Sequence, residues 1–190
     1  LSSRGWTKTE IAFLDTQIQQ GLNVVPTSST GRILDAVSAL LGVCRERTYD
    51  GEPAMKLESF AIGGRIEEWD LTYTSSDGQD VLSTRALIKR ALDETGKAVD
   101  RAGLRSVAAS FQFNLARGIA GLAIHAAEKE GIPLVALSGG VAYNRAIRET
   151  IRAEVTAAGL AFHMNREYPL GDGCISYGQC IVAGTVIADS

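Results

Sequence analysis

The chain has 190 residues, 45% of them hydrophobic and 6% aromatic, with 19 basic against 22 acidic side chains and a net charge of -3. That length suits one ordinary domain or one lobe of a larger one, with enough apolar residues for a sizeable core. The near-balance of charge sets up no field that would draw nucleic acid or an anionic membrane, and no segment approaches the ~20 apolar residues of a membrane span.

Three cysteines, Cys44, Cys174 and Cys180, show no C-x-x-C spacing and point to a reducing, cytoplasmic setting. The chain opens on Leu1 rather than Met and without a signal peptide, which points to a cut or engineered N-terminus. Thr7 and Glu10 spell a capping box, and Ile11, Leu14 and Ile18 form a helical stripe ending near Gly21. A short extended link over 23–26 leads to the polar turn 27–31. A helix is predicted over 32–44, with Ile33, Val37, Leu40 and Leu41 on its apolar face. Arg32 and Asp35, three apart at its start, share one side, and the helix dipole favours an acid there even without a ligand. The next turn carries Gly51, Glu52 and Pro53, the proline placed to open a helix that Gly63 and Gly64 close.

The stretches 66–74 and 79–82 flank Ser75-Ser-Asp-Gly78 as a hairpin. Helical pattern covers 83–96, continues toward 101, and resumes over 104–129 with Val107, Phe111, Leu115, Ile119 and Leu122 in one stripe. His125 near its end reads as structural. The apolar run Leu134 to Leu137 lies between Pro133 and the pair Gly139-Gly140, and helical spacing follows through Ile147, Ile151 and Val155. A strand so continuously apolar is expected to be interior, covered on both faces. Where it turns into the helix, unpaired N–H groups and the positive end of the dipole suit phosphate, and the two glycines let a ligand approach bare backbone. A tight turn without a ligand explains that stretch equally well. Another short strand is predicted over 160–164. A Gly-rich loop carrying Asp172 then enters a last, almost fully apolar helix; Asp172 there is either an N-cap or a cation contact that needs partners from elsewhere.

The turns near Arg32, Gly51 and Asp172 join the Gly-Gly turn as rims of one crevice beyond the strand ends. A nucleotide suits that set: Gly139 and Gly140 for phosphate, Asp35 for ribose hydroxyls, Asp172 for a cation. Ser138 imitates a hydrolase nucleophile elbow, but His163 precedes Asp172 and no His follows, so the triad order fails. His125 and His163 make no ligand-spaced pair for zinc, and Cys174 and Cys180 read as packing residues.

The run Ser28-Ser-Thr-Gly-Arg32-Ile-Leu-Asp35, the turn Tyr49-Asp-Gly-Glu-Pro-Ala, the segment Ser138-Gly-Gly-Val-Ala-Tyr-Asn144 and the loop Gly171-Asp-Gly-Cys-Ile together resemble the HypF carbamoyltransferases. More distantly they resemble the threonylcarbamoyl transferases that modify tRNA. The resemblance implies an α/β fold of the RNase-H-like, actin-like (ASKHA) kind. Residues 1–190 would form its C-terminal lobe with additional helices, the preceding lobe and upstream domains being absent. It implies chemistry in which ATP and carbamoyl phosphate yield carbamoyl-adenylate. The carbamoyl group then passes to the C-terminal cysteine thiol of HypE during nickel–iron hydrogenase maturation. It further assigns Arg32, Asp35, Gly51, Glu52, Gly139, Gly140 and Asn144 to the nucleotide and Asp172 to a metal.

Two departures matter. The family's Asn-Asp-Gly-Gly reads Gly171-Asp-Gly-Cys174 here, and the His-x-x-x-His pair of the family's metal site is missing. The chain is therefore expected to supply half of the cleft and to be inactive alone. A divalent metal (iron, zinc or magnesium) would bind only with the missing lobe. Expected partners are the remainder of the HypF chain and a HypE-like acceptor, with no nucleic acid and no membrane. A non-catalytic nucleotide- or partner-binding lobe, or a carbamoyltransferase acting on a small natural product, stands as the alternative.

Overall fold

A computed structural model describes residues 7–76 and 78–188. Its elements in order are α1 (Lys8–Gln20), α2 (Thr30–Leu40), α3 (Glu52–Ala61), β1 (Tyr73–Ser76), β2 (Gln79–Leu82), α4 (Thr84–Lys97), α5 (Arg101–Glu130), β3 (Leu134–Leu137), α6 (Arg145–Ala157), β4 (Ala161–Met164) and α7 (Ile175–Ala188). Two 3-10 turns, Gly140–Tyr143 and Asp172–Cys174, precede α6 and α7.

The core forms where α3, α4 and α6 each lay an apolar stripe on α5, and α2 adds its own stripe by packing on α3 and α4. Leu34 and Val37, Leu57, Leu87 and Ala91, and Ile147, Ile151 and Val155 form one cluster with Ala108, Phe111 and Leu115, all buried. The 3.6-residue spacing read from the sequence accounts for each stripe. By length and composition α5 is apolar enough to cross a membrane. Its buried Val107, Phe111, Leu115 and Ala120 place it instead as the central helix of this core. Gly118 lets the β1–β2 hairpin lie directly on α5, because a Cβ there would run into the Leu82 side chain.

The expected strand over 66–74 shortens to Tyr73–Ser76, paired antiparallel with β2; residue 77 of the connecting turn lies outside the described residues. The stretch before it is held by a side-chain ladder on α5. The N–H groups of Arg65, Glu67 and Trp69 donate to Ser106 Oγ (3.1 Å), Ser110 Oγ (2.9 Å) and Asn114 Oδ1 (2.8 Å). Two residues of extended chain advance about 6.6 Å and four residues of helix about 6.0 Å, so the two repeats stay in step. With its backbone groups satisfied this way, the segment needs no neighbouring strand.

Strand β3 departs from the interior strand expected of it. Among the described residues it pairs only with β4, in parallel, with Leu134 opposite Ala161 and Leu137 opposite Met164. Val135 is buried, while Leu134 remains 45% exposed. Helices α5 and α6 cover one face, and no described element covers the other. Helix α1 keeps its capping box, Glu10 N donating to Thr7 Oγ1 and Thr7 N to Glu10 Oε2, yet its apolar stripe is not buried and Ile18 is 68% exposed. Helix α7 is apolar as expected and equally uncovered, with Val182 63% exposed.

Candidate functional site

Two loops make the floor of a cleft because Leu170 is stitched to the turn after β3. Gly139 N donates to Leu170 O (2.7 Å), Ser138 Oγ donates to the same oxygen (3.2 Å), and Leu170 N donates to Tyr143 Oη (2.9 Å). Gly171 is thereby pressed against the turn: a Cβ on it would lie 3.4 Å from the Tyr143 ring and 3.6 Å from Gly140 Cα. Across from this floor, Ser29 Oγ caps α2 by accepting from Arg32 N (3.4 Å), and Gly51 opens α3 at φ 79°, a left-handed conformation that favours glycine. The cleft between them encloses about 700 Å³, and Arg32, Asp35, Gly51, Gly140, Asn144 and Asp172 all line it.

Its charges are ordered by ion pairs. Arg32 Nη2 lies 3.2 Å from Asp35 Oδ2 and 3.5 Å from Asp50 Oδ1, and Arg47 Nη1 lies 3.0 Å from the same Asp50 oxygen. Asp50 escaped the sequence reading, although its place beside Gly51 in a turn was the available signal. The Asp35 carboxylate is thus oriented before any ligand arrives, and its side chain is 18% exposed.

The start of α6 is not the open anion site that the sequence led us to expect. Arg145 N donates to Glu58 Oε1 (2.6 Å) and Ile147 N to Asn144 Oδ1 (3.0 Å), so protein oxygens already occupy that helix terminus. The free donors sit one turn earlier. A 3-10 turn over Gly140–Tyr143 leaves the N–H groups of Gly140 and Val141 without acceptors inside the turn. The Gly139 N–H, expected to face phosphate, is engaged by Leu170, and Gly139 does not line the cleft.

Glu52 also faces elsewhere. Its carboxylate, buried, accepts from Lys56 Nζ (2.7 Å), Thr48 N (2.5 Å) and Thr48 Oγ1 (3.0 Å). The Lys56 ammonium, followed by the Thr48 N–H, holds its pKa down to about 2, so Glu52 shapes the turn from behind. Asp172 reaches the cleft lip with an exposed carboxylate that no described hydrogen bond or ion pair engages, so it is no N-cap. Among the described residues no three His, Cys, Asp or Glu side chains converge as a metal site. His125 pairs with Asp80 at 3.4 Å, away from the cleft, and His163 lies on β4.

Residues 2–179 match a family profile described as carbamoyltransferase, Kae1-like domain, second subdomain. The chain belongs to the HypF carbamoyltransferase family. It is 35% identical over 174 residues to the probable carbamoyltransferase HypF of Methanocaldococcus jannaschii, covering 92% of this chain and 22% of that protein. It is 32% identical over 181 residues to a HypF homolog of Cupriavidus necator, covering 93% of this chain and 44% of that one. The crystal structure of T. kodakarensis HypF superposes with a TM-score of 0.80 at 38% identity, over 98% of this chain and 24% of that chain. A full-length HypF in the phosphate- and nucleotide-bound form superposes with a TM-score of 0.81 at 26% identity, over 95% of this chain and 23% of that chain. The fold is accordingly the α/β, RNase-H-like lobe that the HypF resemblance implied. The chain spans between about a fifth and under half of these relatives' lengths.

Proposed function

We propose that this chain supplies one wall of a nucleotide cleft in which a carbamoyl group passes from carbamoyl-adenylate to the C-terminal cysteine thiol of a HypE-like acceptor. The observation that carries this reading is the convergence of Arg32, Asp35, Gly51, Gly140, Asn144 and Asp172 on one cleft. A HypF relative known in a phosphate- and nucleotide-bound form supports it. In this reading Asp35, held by Arg32, accepts hydrogen bonds from ribose hydroxyls. The N–H groups of Gly140 and Val141 donate to the phosphate, and the half-exposed Arg32 guanidinium offsets its charge. The acceptor sulfur bonds to the carbamoyl carbon as the carbon–oxygen bond to the phosphate breaks. AMP leaves with that electron pair, and the thiol proton passes to solvent.

Among the described residues the donors do not fit a metal by themselves. Iron or zinc draws about three or more protein ligands, and Asp172 offers one carboxylate while Asp35 and Asp50 are engaged by Arg32 and Arg47. A metal at Asp172 belongs to an assembly with the preceding lobe, and so does turnover. The test is carbamoyl transfer to a HypE C-terminal peptide from preformed carbamoyl-adenylate, with and without that lobe, alongside ATP titration of the chain. Transfer is expected only with the lobe, and Asp35→Ala is expected to weaken ATP binding about tenfold. Turnover by the chain alone would overturn the half-cleft assignment; no transfer in the presence of the lobe would overturn the carbamoyl reading.

A further inference from the structure

Gln112 is a polar side chain in the middle of the apolar stripe of α5. It is 1% exposed and sits among Ala108, Phe111, Leu115 and Ala116. A buried amide without partners is destabilising, and this one has two. Its Nε2 donates to Ala108 O (3.2 Å), which fixes which end of the amide is which. Its Oε1 then faces outward and accepts from Asn144 Nδ2 (2.8 Å). Asn144, also buried, uses its other end to accept from Ile147 N. Flipping either amide would set oxygen against oxygen or N–H against N–H, so the network has one consistent orientation.

The Asn144 side chain therefore faces the core, and its contribution to the cleft is the placement of its backbone. It closes the 3-10 turn of Gly140 and Val141, Asn144 N donating to Val141 O (3.0 Å), and it caps α6. Tyr143, one residue back, holds Leu170 and with it the approach to Asp172. A polar relay thus runs from the Ala108 carbonyl through Gln112 and Asn144 to the Gly140–Asn144 turn, whose Tyr143 separately holds the Leu170 loop.

We propose that Gln112 is the positioning residue of the cleft: by locking the Asn144 amide from the core, it sets the Gly140–Asn144 turn against which the nucleotide phosphate binds. The inference rests on the nucleotide reading above, and it adds a residue that touches no ligand.

The test is a double-mutant cycle on ATP affinity. Gln112→Met keeps the volume of the side chain and removes the relay. Asn144→Ser keeps a capping oxygen for Ile147 N and removes the donor to Gln112. Each single variant is expected to weaken ATP binding about tenfold, and the double variant no more than either one, because both break the same link. Effects that multiply, or a Gln112→Met variant within about twofold of the parent, would overturn the proposal. Amide hydrogen exchange at Ile147 reads the relay without nucleotide. Gln112→Met should speed it while exchange at Leu87, in α4, stays unchanged, and unaltered exchange at Ile147 overturns the proposal even if the parent chain binds no ATP. Failure of the parent to bind ATP, with Ile147 exchange responding as expected, would refute the nucleotide reading and leave the relay standing.

Discussion

At the scale of single residues, acids that lie close together in the chain do two different jobs. Asp35 is displayed to the cleft by Arg32, whereas Glu52 is withdrawn from it by Lys56 and Thr48. Glu52 stands in the first turn of α3 and Asp35 only in the second turn of α2, so the helix dipole does not explain why the one is withdrawn and the other displayed. What separates them is the neighbour each one meets. The withdrawn carboxylate carries a pH signature. Its folded pKa of about 2 lies below the ordinary 4.5, so its stabilising contribution is complete above pH 4.5 and is lost as pH falls toward 2. Glu52→Gln is expected to lower stability at neutral pH, with the difference from the parent shrinking across that window. Urea midpoints measured from pH 7 to pH 2.5 check this; a difference that stays constant with pH would refute it.

At the scale of elements, α5 acts as both core and template. Its apolar stripe binds α3, α4 and α6, while Ser106, Ser110 and Asn114 on another line receive the backbone of 65–69. Asn114 is the most committed of the three. It is fully buried, accepts from Trp69 N, and donates to Glu67 O (2.8 Å) and Ser110 O (2.7 Å). Asn114→Ala would strand the buried Trp69 N–H and remove a donor from the part-buried Glu67 carbonyl, an expected loss of about 1–3 kcal/mol in urea unfolding. A loss under about 0.5 kcal/mol would mean that the 65–69 segment finds other partners. The spacing of Ser106, Ser110 and Asn114 was visible in the sequence, but nothing local names the chain segment they receive.

At the scale of the whole molecule, stability is concentrated around α5 and thins toward both ends of the described chain. No residue of α1 is buried, and α7 contributes nothing to the core cluster. Removing residues 1–22 is therefore expected to leave the urea midpoint of the rest unchanged within about 0.5 kcal/mol, with α1 amides exchanging first in the parent. A large drop in midpoint would show that α1 packs on the core in solution. The one-sided cover of β3 belongs to the same scale, since a two-stranded sheet with a bare face draws its support from α5 and α6 alone.

The sequence by itself determined the helices, the buried faces of those in the core, the β3-turn-α6 unit and the family; the stripes of α1 and α7 it could not tell from buried ones. What it determined is written in short-range periodicity, capping residues and local motifs such as Thr7-Lys-Thr-Glu10 or Ser138-Gly-Gly. It also picked out the cleft residues Arg32, Asp35, Gly51, Gly140, Asn144 and Asp172, because the motifs that carry them lie where turns open into helices. Only the tertiary structure decided which of the chosen groups face that cleft. Glu58, distant in sequence from Arg145, fills the start of α6; Leu170 takes the Gly139 N–H; Lys56 and Thr48 turn Glu52 away; Gln112 claims the Asn144 amide. Whether a polar group is free to face the cleft is settled by the hydrogen-bond partner that reaches it across the fold, and for the Arg145 and Gly139 N–H groups and the Asn144 amide that partner lies more than thirty residues away. Local pattern carries no record of such a partner.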